Sequence, residues 1–235
     1  MSDPYRLHYA PDNASLIIRL ALDEIGALYE TVLVDRRIEA QKSAAYRTLN
    51  PAGLIPVLET PNGPVFETGA ILLWLADTHG VLAPAPANPE RGAFLKRLFF
   101  VSNTLHADLR LTFYPALYVG PDAGAQGALR STVQSRLCRH LGLLDDLAGS
   151  GPDWFAPQAP SIVTLYVACL MRWIALYPTD SDRGWFALSD TTHLGDILTA
   201  LEQRPSVLLA GKAEGLGPNP FTAPQYATPP EGSPT

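Results

Sequence analysis

The sequence predicts an α/β layer at the N-terminal end of the chain followed by an all-helical part. Over the first eighty residues, short β-branched or apolar runs alternate with segments of helical period, whereas the pattern from residue 90 onward is helical throughout. Residues 81–89 contain three prolines and show no periodicity, which indicates a linker. We therefore expect domains at residues 1–80 and 90–217, with a proline-rich tail at 218–235.

The first elements follow from their local patterns. Residues 5–9 predict a strand, and the apolar positions of residues 14–25 predict an amphipathic helix that ends at Gly26. Residues 31–34 are rich in β-branched side chains and predict a second strand. Residues 39–48 predict a weaker helix. Together these segments give a β-α-β-α order.

The next segment predicts a hairpin and a third helix. The apolar pairs Val57-Leu58 and Val65-Phe66 flank Asn62-Gly63, and an Asn-Gly pair between two such runs is a strong hairpin signal. A helix follows whose apolar residues, 71–75, run nearly all round it. Thr68 is placed to cap this helix, and the capped end leaves backbone N–H groups where an anion can bind.

The remainder of the chain predicts five helices, over residues 90–118, 126–147, 161–176, 192–203 and 205–214. Residues 161–176 are apolar on nearly every face, which places this helix at the centre of the helical domain. The tail after Gly217 has six prolines in eighteen residues and cannot be helical. We expect it to lie against the fold.

Composition excludes several classes of function. The chain has 235 residues, 47% of them hydrophobic, and a net charge of −6, which argues against a nucleic-acid surface. No apolar run reaches the ~18 residues of a membrane span, and the N-terminus lacks a secretory pattern, so we expect a cytoplasmic protein. Cys138 and Cys169 lie in helical apolar patterns and are expected to be buried. The histidines show no metal-ligand spacing, so we expect no metal.

Two motifs carry a resemblance to a known family. Residues 50–58 match N-P-x-G-x-x-P-x-L and residues 67–71 match E-[ST]-x-A-I, in the order and spacing of the glutathione site of the cytosolic glutathione S-transferase family. Residues 159–166 resemble the capping box of that family's buried sixth helix, with Thr164 where the family has Asp. The resemblance covers roughly residues 5–215. It implies a thioredoxin-like N-terminal domain followed by an all-α helical bundle.

The resemblance also implies a set of glutathione-binding residues: Ile55, Pro56, Glu67, Thr68 and Arg36. The backbone of Ile55 would pair with the cysteinyl part of glutathione beside a cis Ile55–Pro56 bond. Glu67 would hold the γ-glutamyl ammonium, and Thr68 the adjacent carboxylate. Arg36 or Arg37 is a candidate for the glycyl carboxylate, although a solvated surface charge is an equal alternative.

The loop at residues 10–16 is the candidate for activating the glutathione thiol. It resembles the S-P-G-A-C-S-L loop of the bacterial beta class, with Ala14 in place of the cysteine, so no protein thiol is available there. Ser15 Oγ and the Asn13 amide remain as catalytic donors, besides the backbone N–H groups of the helix start. The alternative is that Asn13 only caps the helix and Ser15 is only an early-turn residue.

A second-substrate pocket is predicted from the first long helix. His106, Arg110 and Tyr114 recur every four residues and so share one helix face. Residues 104–106 resemble the E-L-H of the beta class, whose histidine faces the cleft; a solvent-facing polar face is the rival interpretation. Tyr9 ends the first strand and could reach the sulfur, although strand alternation favours a structural role.

The resemblance implies a detoxifying glutathione transferase in which the bound thiolate attacks a small hydrophobic electrophile. One alternative is a glutathione-dependent disulfide or peroxide reductase of the nu-class type, and another is a non-catalytic family member that binds ligands or proteins. The resemblance and the apolar residues Phe94, Leu95, Leu98 and Phe99 predict a homodimer. No nucleic-acid or membrane partner is expected.

Overall fold

The computed structural model describes residues 4–234. Four strands form one mixed sheet in the order β2-β1-β3-β4. β1 is parallel to β2 and antiparallel to β3, and β3 and β4 form an antiparallel hairpin. In this register Leu7 of β1 lies between Thr31 of β2 and Leu58 of β3. The strands are β1 (Tyr5–Tyr9), β2 (Tyr29–Leu33), β3 (Val57–Thr60) and β4 (Gly63–Phe66).

Within the described residues three helices belong to the α/β layer and seven more follow it, which confirms the predicted fold class. α1 packs on α3 and on the helical part, where it contacts α8 and α10. In the described residues no helix is long and apolar enough to cross a membrane. The helices are α1 (Ser15–Ile25), α2 (Ala44–Leu49), α3 (Thr68–His79), α4 (Arg91–Phe100), α5 (His106–Phe113), α6 (Ala116–Val119), α7 (Ala123–Ser150), α8 (Ile162–Leu176), α9 (Thr192–Leu201) and α10 (Pro205–Glu214).

Two elements of the α/β layer differ from the expectation. The helix predicted over residues 39–48 begins only at Ala44, because Glu39 adopts φ 52° and Ser43 Oγ caps the later start by accepting from the Tyr46 N–H at 3.1 Å. The hairpin is present, but its two-residue turn is Pro61-Asn62, since Gly63 already pairs with Thr60 in the ladder.

The long helix predicted over residues 90–118 is interrupted twice. Between α4 and α5 the chain forms a π-turn, Val101–Leu105, in which the His106 N–H donates to the Val101 carbonyl five residues earlier. The second break is at Tyr114, which leaves the helical region because Pro115 follows it. The short helix α6 begins after this proline.

α8 is the buried centre of the helical part, as predicted. Its start is held by a capping box in which Ser161 Oγ accepts from the N–H groups of Val163 and Thr164, at 3.2 and 3.4 Å. The Ser161 N–H in turn donates to Thr164 Oγ1 at 3.2 Å. The Thr164 hydroxyl therefore completes the box in the place where the resembled family has Asp.

Only one of the two cysteines is buried. Cys169 lies inside α8, but Cys138 is exposed on α7, which corrects the expectation for this residue. The buried stripe of α7 includes Leu137 and Leu141, and Cys138 comes one residue after Leu137, which turns it away from the core.

The apolar residues of α4 that predict a dimer are largely buried within the chain itself. Phe94 and Leu98 are buried in the core of α4, and only Phe99, which is 53% exposed, remains widely available on this segment. The composition of α4 therefore supports the homodimer less than the sequence suggested. The homodimer stays a prediction.

The tail after residue 217 lies against the fold, as expected. The buried guanidinium of Arg172 in α8 donates to the carbonyls of Pro220 and Gln225, at 3.0 and 2.9 Å. The Glu202 carboxylate accepts from the N–H groups of Phe221 and Thr222, both at 2.8 Å. These bonds hold the tail across the helical part and direct it back towards the sheet.

Candidate functional site

A cleft of about 900 Å³ lies where the α/β layer meets the helical part. This volume is within the usual range of small-molecule sites. The loop after β1, the loop before β3 and the start of α3 line one side. The π-turn, α5 and the C-terminal end of α8 line the other.

The start of α3 presents a free carboxylate and free N–H groups to the cleft. Glu67 precedes the helix with φ 71°, a strained conformation for a residue that has a side chain, and its carboxylate has no partner among residues 4–234. Thr68 is the first helical residue and lines the cleft; it does not cap the helix, which corrects the expectation. The unpaired N–H groups of this first turn give the end of the helix a partial positive charge.

The loop before β3 exposes backbone groups at the same cleft. The Ile55–Pro56 bond is cis, as the resemblance implied. Within the described residues the N–H and C=O of Ile55 make no hydrogen bond. The loop itself is fixed, because the Tyr46 hydroxyl and the Asn50 amide both donate to the Leu54 carbonyl, at 2.9 and 2.8 Å. A rigid loop with free backbone groups suits pairing with an extended ligand.

The two arginines after β2 have different positions. Arg37 donates to Asp35 through Nε and Nη2, at 2.9 and 2.7 Å, so its charge is already paired. Arg36 lines the cleft and has no ion-pair partner in the described part of the chain. Of the two predicted candidates, only Arg36 is therefore available to a ligand in the cleft.

The loop after β1 is held by a buried carboxylate that the sequence analysis missed. Asp12 accepts from Arg172 Nε and Nη2 at 2.8 and 2.9 Å, from Trp173 Nε1 at 2.8 Å and from the Tyr177 hydroxyl at 3.0 Å. The side chains of Asp12 and Arg172 are both fully buried. Because these partners lie some 160 residues away in the sequence, no local pattern announces them.

A second bond ties the same loop to the last helix. The Asp12 N–H donates to Glu214 Oε2 at 2.8 Å, and Glu214 Oε1 accepts from Arg19 Nε of α1 at 2.7 Å. Asp12 itself has φ 51°, so the loop is strained at this residue and held from both sides. Its position therefore depends on the helical part of the chain.

The structure does not bring Ser15 or Tyr9 to the cleft. Ser15 is fully buried; its hydroxyl donates to the Ala10 carbonyl at 3.0 Å and accepts from the Ala10 N–H at 3.3 Å. Tyr9 is also buried, and its hydroxyl donates to the Glu231 carboxylate of the tail. Both hydroxyls therefore already have hydrogen-bond partners, Ser15 within its own loop and Tyr9 in the tail.

Asn13, in contrast, lines the cleft at the start of α1. Its side chain does not cap the helix, because Ala14 is the N-cap and no side-chain bond closes it. The Asn13 amide donates to the Pro234 carbonyl at 3.4 Å, a long and weak bond. Of the two predicted thiol-activating side chains, Asn13 is the one that a ligand in the cleft can reach.

His106, Arg110 and Tyr114 all line the cleft from the opposite side. Burial, together with the nearby Arg110 charge, lowers the pKa of His106 to about 4, so the ring is neutral at pH 7. The Tyr166 hydroxyl lies 2.7 Å from His106 Nδ1, and burial raises the pKa of Tyr166 above its usual value. A protonated tyrosine donates to Nδ1, which leaves the ring proton on Nε2.

The wall around Arg110 is aromatic. Arg110 Cζ lies 5.6 Å from the centre of the Tyr114 ring. Phe113, Trp173 and Tyr177 complete this part of the cleft, and the sequence analysis named none of the three as a site residue. Neither cysteine is among the lining residues, and residues 4–234 contain no group of three or more acidic, histidine or cysteine side chains that could hold a metal.

Comparisons with known proteins agree with this geometry. The model of the glutathione S-transferase N-terminal domain matches residues 4–77. The glutathione S-transferase GST-4.5 of Xanthomonas campestris is 27% identical over 72% of this chain and 81% of its own length. The maleylacetoacetate isomerase of Rhizobium meliloti is 33% identical, but the match spans only 54% of this chain and 59% of the isomerase.

A solved structure gives the more complete match. The glutathione S-transferase of a sphingomonad, complexed with glutathione, is 32% identical to this chain with a TM-score of 0.72. The match covers 90% of this chain and 100% of the sphingomonad chain. This full-length relationship, with the domain model over the sheet, shows that the chain belongs to the glutathione S-transferase family.

Proposed function

We propose that this protein is a glutathione transferase of bacterial beta-like or nu-like type that lacks the beta-class cysteine. It activates glutathione as the thiolate for attack on a small hydrophobic electrophile. The observation that carries the proposal is one cleft that joins free backbone and charged groups of the α/β layer to an aromatic wall of the helical part. The sphingomonad relative, which was solved with glutathione, supports glutathione as the ligand.

Each charged group of glutathione has a complementary group in the cleft. Glu67, exposed and unpaired, binds the γ-glutamyl ammonium, while Thr68 and the N–H groups of the α3 start bind the adjacent carboxylate. The free backbone of Ile55 pairs with the cysteinyl part, and Arg36 binds the glycyl carboxylate. The ligand therefore lies extended across the end of the sheet at which β1 finishes and β3 begins.

The thiol is then activated by the loop after β1. A free thiol with a pKa of about 8.5 is mostly protonated at pH 7, so the site must stabilise the anion. In our proposal the Asn13 amide donates to the sulfur, exchanging the weak bond to Pro234 for a bond to an anion. The start of α1 adds its partial positive charge.

His106 faces the reacting groups from the helical part. Because Tyr166 occupies Nδ1, the Nε2–H of His106 is a fixed neutral donor with no partner among the described residues. Such a donor can stabilise charge that develops on the electrophile without losing its own proton. Tyr166 acts through His106 and is a positioning residue.

Binding of glutathione is tested by titration calorimetry on Glu67→Ala and Thr68→Ala. A charge-assisted hydrogen bond contributes about 1.5–3 kcal/mol, so we expect each variant to lose about tenfold or more in affinity. Glu30→Ala removes an exposed carboxylate of β2 outside the cleft and serves as the control. Unchanged affinity in both cleft variants would show that glutathione does not bind at the α3 start.

Parallel assays separate this proposal from the alternatives. Conjugation of an aryl halide supports the transferase, and reduction of hydroxyethyl disulfide without conjugation supports a glutathione-dependent reductase of the nu-like type. Binding of glutathione with neither activity supports a non-catalytic member. We also propose a cytoplasmic location. In addition, we propose a division into domains at residues 1–80 and 90–217, which limited proteolysis at residues 81–89 would test.

A further inference from the structure

The cleft contains a cation that the proposed binding of glutathione leaves unused. Arg36 and Arg110 line the cleft, and neither forms an ion pair with any described residue. In the arrangement proposed above, Arg36 binds the glycyl carboxylate. Arg110 lies across the cleft on α5, where no group of glutathione has been assigned.

The acidic side chains of the cleft do not neutralise Arg110 either. Asp12 is saturated by four donors, two of them from Arg172. Asp180 lies at the rim and pairs with Arg130 at 3.2 Å. Glu67 belongs to the α3 start, on the opposite side of the cleft. Within residues 4–234, Arg110 is therefore a partly buried guanidinium without a carboxylate partner, and an anionic ligand in the cleft can supply one.

The surroundings of Arg110 define what that partner looks like. Its guanidinium lies over the Tyr114 ring, and Phe113 and Tyr177 extend the aromatic surface beside it. A planar apolar body can stack on such a wall. A guanidinium that is fixed over a ring presents its fork of N–H donors to a carboxylate, which it binds through two parallel hydrogen bonds.

We propose that the second substrate of this protein is an aromatic electrophile that carries a carboxylate, and that Arg110 is the residue that selects it. This inference rests on the proposed transferase function. In the reaction, the glutathione sulfur bonds to the ring carbon that carries the halogen, and the carbon–halogen bond breaks. The halide leaves with the bonding electron pair, while the carboxylate stays bound to Arg110 and is unchanged.

The test compares an acid with its neutral ester. The acid is a chlorodinitrobenzoate whose carboxylate is para to the chlorine. The ester is the methyl ester of the same acid. Intrinsic reactivity cancels when the acid-to-ester ratio of kcat/KM is compared between proteins. We expect Arg110→Gln to lower this ratio by about tenfold to a hundredfold, as the loss of a charged hydrogen bond predicts. Arg110→Lys keeps the positive charge but loses the paired N–H donors of the guanidinium. Its acid-to-ester ratio should lie between those of Arg110→Gln and the unaltered protein.

Two further variants fix the interpretation. Arg139→Gln removes an exposed arginine of α7 outside the cleft and should leave the ratio unchanged. Arg36→Gln should raise the KM for glutathione equally with both electrophiles. An equal loss with acid and ester in Arg110→Gln overturns the proposal. The proposal is also overturned if Arg110→Gln impairs only the reduction of a glutathione mixed disulfide. In that case the carboxylate that Arg110 binds belongs to a peptide and not to an aromatic acid.

A binding measurement separates this inference from the transferase proposal. Dinitrobenzoate and its methyl ester, which lack a leaving group, are titrated into the protein with S-methylglutathione bound in place of glutathione. Selective loss of dinitrobenzoate affinity in Arg110→Gln supports the anion site even without turnover. Equal affinity for acid and ester in the unaltered protein overturns it. Failure of S-methylglutathione itself to bind counts instead against the proposed function.

Discussion

Replacing Asp12 by asparagine should destabilise the protein strongly and at the same time weaken glutathione binding. The carboxylate accepts four hydrogen bonds within 2.8–3.0 Å, and both it and the Arg172 side chain are fully buried. The shape of the residue is preserved and asparagine tolerates the φ of 51°, so the change removes charge and not backbone fit. The effect therefore isolates the ion pair.

The expected loss of unfolding free energy follows from the buried charge that Asp12→Asn leaves on Arg172. Arg172 keeps its two bonds to carbonyls of the tail, but its charge loses the only carboxylate that faces it in the described residues. Breaking one side of a buried ion pair costs about 3–5 kcal/mol. A typical domain is stable by about 5–15 kcal/mol, so this is a large share of the total.

Urea unfolding, followed by tryptophan fluorescence, measures the loss. Asp77→Asn is the matched control, because Asp77 also pairs with an arginine, Arg91 at 2.8 Å, but its side chain is 40% exposed. Because the carboxylate of this pair is solvated, the pair should contribute less than about 1 kcal/mol. Adding Arg172→Met to Asp12→Asn should restore part of the stability. If the unfolding free energy of Asp12→Asn lies within about 1 kcal/mol of that of the unaltered protein, the buried pair does not hold the loop.

Three further predictions concern the site and the assembly. Asn13→Ala should raise the pKa of the bound glutathione thiol by about one unit in a thiolate absorbance titration. Ser15→Ala should leave this thiol pKa unchanged and lower the unfolding free energy by about 1–3 kcal/mol. The reverse pattern would make Ser15 the activating residue. Because burial lowers the pKa of His106 from 6.5 to about 4, the unfolded state binds the extra proton, so the unfolding free energy should fall as pH drops from about 6.5 towards 4. Urea titrations of His106→Gln across this range should show a smaller fall, and an identical fall would mean that other groups cause it. Light scattering should give twice the mass of one chain, and Phe99→Glu should lower it; a monomer at micromolar concentration would contradict the homodimer.

The fold was predictable because its signals are local. The strand alternation, the Asn-Gly hairpin and the helix periods each depend on a few neighbouring residues, and the structure confirms them to within a few positions. The failures also have local causes. Glu39 in a left-handed conformation delayed α2, and Pro115 ended α5 early, because a single residue can override a weak helical pattern.

The site was only partly predictable, because much of it depends on pairs that are distant in sequence. Glu67, Thr68 and Ile55 could be named since a compact motif contains them. The ion pair between Asp12 and Arg172 could not be predicted in this way. An arginine inside an otherwise apolar helix was nevertheless a usable signal, because a buried guanidinium requires a carboxylate. Ser15 and Asn13 were indistinguishable in the sequence, and only the direction of each side chain separates them.

The π-turn gives the helix of the site an unusual tolerance of changes in length. Its hydrogen bond spans five residues, so it holds one residue more than an α-helical turn does. Each residue in an α-helix rotates the next by about 100°, so one extra residue elsewhere in α5 would swing Arg110 away from the cleft. At the π-turn that rotation is absorbed, with Phe94 and Leu98 in the core on one side and His106 at the cleft on the other. Loss of Thr104, which does not line the cleft, should therefore leave both faces in register and the site intact.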